Sequence, residues 1–453
     1  MKKFYDIHMH AFNLNHPNLS IFLQRTDLID SLFKSKSLFN KIMYWVLFVL
    51  AVIISPFIII FIFCFKKFFM KLVFTLPIIK KVTQTLSFFE IPLEYQFLVL
   101  DYHLKDEMKM NDKKQLIVGN NAYDKIVLCP LIMDFGRKNI SEGLFYKYTP
   151  KSPIANQVGD LLYAIRTYYR FDVMVKDNKM FLTDEIDLED GKREKLFEIY
   201  PFMGLNTQNY DKWEDIEKVL KNYFDDFKKD DAAQERRNKL WKKMGKLDSN
   251  MYNKTDGYYF NIFAGIKVYP QLGFDPYPKN SKELYKVKRL YKYCIDKRIP
   301  ITTHCSDGGF KSGNNDKLTS PLTKWKNVLE TEEFKTLTLN FAHFGSQKDK
   351  QTEWQDAIIE LTKQYPNVYT DISCNDMSEK YYKDLENLFT NKNPQLHERV
   401  LFGSDFSINM LVTDAKSYNE YLETFVDYQL PHQTDMCENN PERFLFGGEI
   451  HNS

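Results

Sequence analysis

Eight short apolar segments alternate with helical patterns along the chain, and this alternation constrains the fold more than any other feature. The segments are Phe4 to His10, Lys125 to Phe135, Glu198 to Gly204, Ala264 to Tyr269, Ile299 to His304, Thr338 to His343, Asn367 to Ile372 and Arg399 to Ser404. Helical patterns such as Lys282 to Lys297 and Glu353 to Gln364 separate them. Strands joined through helices pair in parallel and are covered on both faces, so eight such units with near-continuous apolar strands predict a closed α/β barrel. The connections differ too much in length for a fixed repeat. A chain of 453 residues has room for one such barrel plus insertions.

In a parallel barrel the carboxyl ends of all strands lie on one rim, so polar residues placed there converge whatever their separation in sequence. Strand one ends in His8 and His10, two positions apart; alternate residues of a strand face the same way, so both imidazoles can reach one metal ion. Strand four carries Lys267, strand five ends in His304, strand six in His343 and strand eight in Asp405. A single histidine at a strand end usually reads as a hydrogen-bonded structural residue. Four from three strands, joined by a lysine and a carboxylate from two more, predict a functional rim.

Lys+Arg 62 against Asp+Glu 60 leaves no global field, and no nucleic-acid partner is expected. The mixed charges of Asp225 to Lys246 read as a solvated helix face. Six scattered cysteines without a Cys-x-x-Cys pair fit a reducing compartment. A strand occupies the place where a signal peptide would carry its apolar run, so the mature chain is expected to begin there.

The run Ile42 to Phe65, which includes Trp45 and Pro56, carries no formal charge and is long enough to cross a bilayer as a helix. A large apolar oligomer interface, and hence a homo-oligomer, is the alternative reading. Both flanking strands belong to one barrel, so a single crossing is excluded topologically. Pro56 removes a helical hydrogen bond near the middle of the run, and lysines flank both sides (Lys34, Lys36, Lys41; Lys66, Lys67, Lys71). A re-entrant hairpin broken at Pro56, with both ends on the cytoplasmic side, meets these conditions. A return crossing through Phe68 to Leu100 would carry Lys71, Lys80, Lys81, Glu90 and Glu94 into lipid. The expected organisation is a first barrel strand in 1–20, an apolar helical insertion in 21–110 with its membrane-like segment at 42–65, and the rest of the barrel in 111–453. A helical insertion at the rim is expected at about 207–258, where Trp213, Tyr223, Phe224, Trp241 and Tyr258 have the spacing of packed amphipathic helices.

Six motifs occur in order, each at its own strand or at the end of the chain: DIHMHAF at Asp6, GIKVYPQLGFDP at Gly265, THCSDGG at Thr303, AHFG at Ala342, FGSDF at Phe402 and NNPERFL at Asn439. Together they resemble the amidohydrolase superfamily, and within it the amidohydrolase-related (amidohydrolase 2) branch of metal-dependent hydrolases. The resemblance implies a (β/α)8 TIM barrel holding one or two divalent ions such as Zn²⁺. It implies His8, His10, His304 and Asp405 as metal ligands, and His343 as a ligand to a second ion or a group that polarises the substrate. Lys267 has three readings: a carboxylated lysine bridging two ions, an unmodified substrate contact, or an ion-pair partner at the rim. Asp405, Lys267 and His343 are the expected catalytic residues, and water activated on the metal would attack an amide, lactone, ester or phosphoester.

Asp6 is expected to orient the strand end, and Asp371 to touch substrate or to serve a structural hydrogen bond. His16, His103, His397, His432 and His451 lack matching partners and read as solvent-exposed. Cys305 reads as a small buried thiol. With the insertion leaving the catalytic rim, the expected partner beyond a small-molecule substrate is membrane lipid, the substrate amphiphilic, and the barrel cytoplasmic. Nonoxidative decarboxylation on the same metal barrel and an inactive membrane-attached scaffold are the alternatives.

Overall fold

The computed structural model describes residues 1–11, 91–107, 111, 115–135, 154–177, 179–183, 185–244, 252–253, 257–258, 262–310, 316–347, 351–375, 378–406, 408–409 and 417–447. The segment 42–65 and the proposed insertion up to residue 90 lie outside these. Among the described residues no helix is long and apolar enough to cross a membrane.

All eight expected strands form. They are β1 (Lys3–Met9), β2 (Lys125–Pro130), β3 in two pieces (Phe197–Ile199 and Phe202–Gly204), β4 (Gly265–Val268), β5 (Ile301–Thr303), β6 (Leu339–Phe341), β7 (Val368–Asp371) and β8 (Val400–Leu401). One sheet runs β1, β2 and the first piece of β3; the other runs from the second piece of β3 through β8 in sequence order, and every pairing is parallel. Two seams join the sheets. A parallel bridge links Leu131 to Phe202 beyond the end of β2, and β1 lies along β8 through Ile7 N–H to Phe402 O at 3.1 Å and Asp405 N–H to His8 O. The ring is therefore closed.

Strand three is interrupted at Tyr200 and Pro201, where proline has no N–H to give a ladder. Its first piece pairs with β2 and its second with β4. Strand two ends at Pro130, earlier than its apolar run, which continues to Phe135 as buried chain outside the ladder.

A helix follows each strand: α1 (Leu93–Glu107), α2 (Ala155–Arg170), α3 (Trp213–Phe224), α4 (Ser281–Lys297), α5 (Lys326–Glu330), α6 (Glu353–Gln364), α7 (Glu379–Asn387) and α8 (Tyr418–Tyr428). Local chemistry explains α4 well. Asn280 caps it, its side chain accepting from Lys282 N at 3.0 Å and Glu283 N at 3.2 Å, and Arg298 ends it in the left-handed region. Val287, Leu290, Tyr291 and Cys294 form the buried stripe against the barrel.

Helix Ala233–Met244 corrects the expected rim placement of 207–258. Its Arg236 guanidinium donates to the Lys297 and Arg298 carbonyls at 2.9 and 2.8 Å, and Arg237 pairs with Glu442, which also bonds Tyr5. Those partners lie where α4 ends and β5 begins, and at the start of β1. The helix thus closes the amino-terminal end of the barrel, opposite the strand-end histidines. A cation held against unpaired carbonyls at a helix carboxyl end is favourable there.

Candidate metal centre

His8 and His10 both leave the carboxyl end of β1, and their partners fix which nitrogen each ring can offer. The Nδ1–H of His8 donates to Asp371 Oδ2 at 3.0 Å, and that of His10 donates to the Leu131 carbonyl at 3.0 Å. Both acceptors lack protons, so Nε2 carries the lone pair on each ring. Those two atoms face one carboxylate oxygen: Asp405 Oδ1 lies 3.2 Å from His10 Nε2 and 3.6 Å from His8 Nε2. Burial lowers the His8 pKa to about 3 against the opposing pull of Asp371, which keeps the ring neutral. A neutral imidazole is what a metal requires.

Buried atoms left without a hydrogen bond show that the cluster fits a cation. His8 Nε2 and Asp405 Oδ1 are both buried with no hydrogen-bond partner. Such groups are costly unless something completes them. His8, His10 and Asp405 offer three donor atoms within 4.8 Å of one another. Burial pushes the Asp405 carboxyl up, but the neighbouring His10, His8 and His343 hold it below the ordinary carboxylate range.

Lys267 reaches the same space from β4. Burial lowers its pKa to about 8, with Asp371 and Asp405 pulling the other way. An amine shifted this far can lose its proton near neutrality, as substrate contact or carboxylation requires.

Of the two roles expected for Asp371, the structure shows the hydrogen-bonding one. It is fully buried, and its oxygens are filled by His8 Nδ1, Asn340 Nδ2 at 2.7 Å, the backbone N–H of His343 at 3.0 Å and both N–H and O–H of Ser373. These donors also set aside a second possible grouping, His8 with His343 and Asp371. In it His8 would have to give up its Nδ1 bond. Asp371 orients His8 instead. Ser373 Oγ also lies 3.0 Å from Nδ1 of both His8 and His343. Ser373 and Asn340 were not singled out from sequence, although a polar residue inside the apolar TLNF strand was the available signal.

His343 and His304 adjoin the cluster and meet each other. His343 Nδ1 donates to the Ser373 carbonyl at 3.2 Å, leaving Nε2 3.1 Å from His304 Nδ1. His304 stacks on Tyr269 at 4.2 Å, and its Nε2 faces the Gly308 carbonyl at 3.1 Å. Burial, then the neighbouring His343 and Lys267, hold His304 well below the usual histidine range. The neutral ring has one proton for two acceptors. Its ring nitrogens are not among the donor atoms of the His8, His10 and Asp405 grouping.

Several strand ends are held in the left-handed region: His343 at φ 63°, Cys374 at φ 53° and Asp405 at φ 53°. Strain of this kind concentrates where side chains must be aimed. Below the cluster, the Asp6 carboxylate accepts from Ser404 N at 2.9 Å, Tyr418 O–H at 2.9 Å and His8 N at 3.3 Å, tying β1 to the β8 end and α8. Cys305 is buried as expected, its thiol 3.6 Å from the Thr319 carbonyl. His397 and His432 do have partners: both rings face Asp435.

The amidohydrolase family model (Amidohydro_2) matches residues 262–447. No curated protein matches the chain in sequence. Among solved structures, an amidohydrolase 2 from Bifidobacterium longum subsp. infantis is 15% identical over 41% of this chain and 62% of its own, with a TM-score of 0.29. The chain thus spans under two thirds of that protein. One named as a 2-pyrone-4,6-dicarboxylic acid hydrolase, from Acinetobacter baumannii, is 13% identical over 72% and 84% of the two chains, at TM-score 0.36. A third, described as a metal-dependent hydrolase from Lactobacillus casei, is 14% identical over 98% and 95%, at TM-score 0.35. Likenesses this distant add nothing to the fold, which rests on the hydrogen-bonded ring of strands. The sequence match contains Lys267, His304, His343, Asp371 and Asp405, and through this region the chain is similar to the amidohydrolase family.

Proposed function

We propose that the chain hydrolyses an amide, lactone, ester or phosphoester at a divalent ion, Zn²⁺ by preference, held by His8, His10 and Asp405. The observation that carries this reading is the buried, unsatisfied pair of His8 Nε2 and Asp405 Oδ1, with His8 locked by Asp371 as a neutral ligand. Bound there, the ion supplies Lewis acidity toward water and toward the substrate oxygen. Asp405, ionised by its histidine neighbours, takes the proton from the attacking water and returns it to the leaving group. His304 and His343 are further ligands or hydrogen-bond the substrate oxygen, and Lys267 sits beside them as a contact or, carboxylated, as a bridge between two ions.

The test is zinc content and turnover on a panel of the four bond types. His8→Ala and Asp405→Ala are expected to lose both bound metal and turnover; full metal retention in both variants would overturn the ligand assignment. Carbon dioxide release with no water consumed would replace the hydrolase reading with decarboxylation.

We also propose that the enzyme works at a membrane on an amphiphilic substrate, its barrel cytoplasmic. The uncharged run Ile42 to Phe65, flanked by lysines and inserted after the strand that carries His8 and His10, supports this. Deletion of 38–70 is expected to release the protein from vesicles. Unchanged partitioning after the deletion would end this reading.

A further inference from the structure

The chain that follows β5 folds back over His304 and is tied to both neighbouring strand ends. Gln271 Nε2, beyond β4, donates to the Ser306 carbonyl at 3.2 Å, and Asp307 N–H donates to the Ser346 carbonyl, beyond β6, at 3.1 Å. Tyr269, just beyond β4, is buried and meets both the histidine and this loop. Its ring lies flat on the His304 ring, with centroids 4.2 Å apart and planes 10° from parallel. Its hydroxyl accepts from Phe310 N–H at 3.0 Å and lies 3.4 Å from His304 Nε2. The same Nε2 faces the Gly308 carbonyl at 3.1 Å. Gly309, between these two contacts, has φ 94° and no room for a side chain: a Cβ there would strike the Tyr269 hydroxyl and stand 3.0 Å from His304 Cε1.

We propose that Tyr269 is a positioning residue for His304. An imidazole has two freedoms to lose, the orientation of its ring and the choice of which nitrogen carries the proton. The stack removes the first, because tilting the ring would break its overlap with Tyr269. The hydroxyl acts on the second: its bond to Phe310 N–H anchors the turn that brings the Gly308 carbonyl to Nε2 and keeps that edge of the ring occupied. Nδ1 is then the nitrogen that faces the centre, where it lies 3.1 Å from His343 Nε2. Tyr269 is itself clamped. Phe310 packs edge-on against it, and Phe135, from the chain beyond β2, packs edge-on against Phe310. A ring held on one face and one edge presents its other nitrogen in a single direction, which is what a supporting residue contributes to a site. This inference rests on His304 acting at the centre as proposed above, as a ligand or as a contact to the substrate oxygen.

The experiment is a double-mutant cycle in the full-length protein, with Tyr269→Phe, His304→Ala and the two combined, on the bond type that wild type turns over. Tyr269→Phe keeps the stacked ring and removes only the hydroxyl. It is expected to lower kcat by about 10- to 100-fold with KM little changed, and to have no further effect once His304 is alanine. Equal losses in both backgrounds would show that Tyr269 acts through the fold alone and would overturn the proposal. Full turnover by His304→Ala would instead end the role of His304 itself, and this inference with it. A second measurement needs no turnover: long-range ¹H–¹⁵N NMR of the metal-free protein, with the His304 signals assigned by their loss in His304→Ala. In wild type its two ring nitrogens should be well separated, one protonated and one bare. In Tyr269→Leu, which also removes the stack, they should draw together as the two tautomers average. An unchanged separation would likewise overturn the proposal.

Discussion

Asp371 Oδ2 accepts the Nδ1–H of His8 at 3.0 Å across the barrel from β7 to β1, and this one bond decides which nitrogen of His8 can be a ligand. Four further donors, from Asn340, His343 and Ser373, hold the carboxylate in place. The arrangement is a carboxylate–histidine support of the kind that orients metal ligands.

Asp371→Asn replaces the charged acceptor with an amide. Zinc affinity at the catalytic centre is expected to fall by about 10- to 100-fold with the fold intact. Competition with a chromogenic chelator measures it. An unchanged affinity would mean that His8 is held by other contacts.

Lys267→Met should separate function from stability. The buried ammonium has no hydrogen-bond partner, so an apolar side chain of similar length is expected to leave metal-free stability unchanged or raise it by about 1–3 kcal/mol, while turnover drops by at least about 100-fold. Denaturant unfolding and steady-state kinetics read the two effects. A destabilised variant with normal turnover would remove Lys267 from the active site.

Just after β8, Gly403 passes close beside His8 of β1. A Cβ added there would stand 2.6 Å from His8 Cβ and 3.2 Å from Ser373 Cβ. Gly403→Ala is expected to cost about 1–3 kcal/mol and to weaken zinc binding, because relief of the clash must displace His8. Calorimetric unfolding and metal titration test both halves; a variant with wild-type values in each would show that the seam can widen freely.

Asp231 gives a pH signature remote from the metal. Its burial opposes ionisation, but hydrogen bonds from Lys239 at 2.7 Å and Lys228 N at 2.8 Å, with the Lys239 and Arg236 charges, hold its carboxyl below the ordinary value. A depressed folded pKa contributes stability that is present above the unfolded value, about 3.9, and lost as pH falls through the folded one. Wild type should therefore exceed Asp231→Asn in stability at pH 7, with the gap closing below about pH 4. A gap that stays constant down to pH 2 would contradict the assignment.

The sequence by itself determined the eight strands, their parallel order and the rim on which His8, His10, Lys267, His304, His343 and Asp405 meet. Each of these follows from local periodicity or from the rule that strand ends share a face. The family pattern added the ligand types. Tertiary structure alone decided the rest, because tautomer, orientation and burial depend on partners far apart in the chain. Asp371 became the support of His8 through a bond spanning 363 positions, and His304 turned to His343 and Gly308 rather than to Asp405. His397 and His432, solitary in sequence, stacked over one carboxylate. Helix Ala233–Met244, amphipathic either way, chose the amino-terminal end because the unpaired carbonyls of α4 lie there for Arg236 to bind.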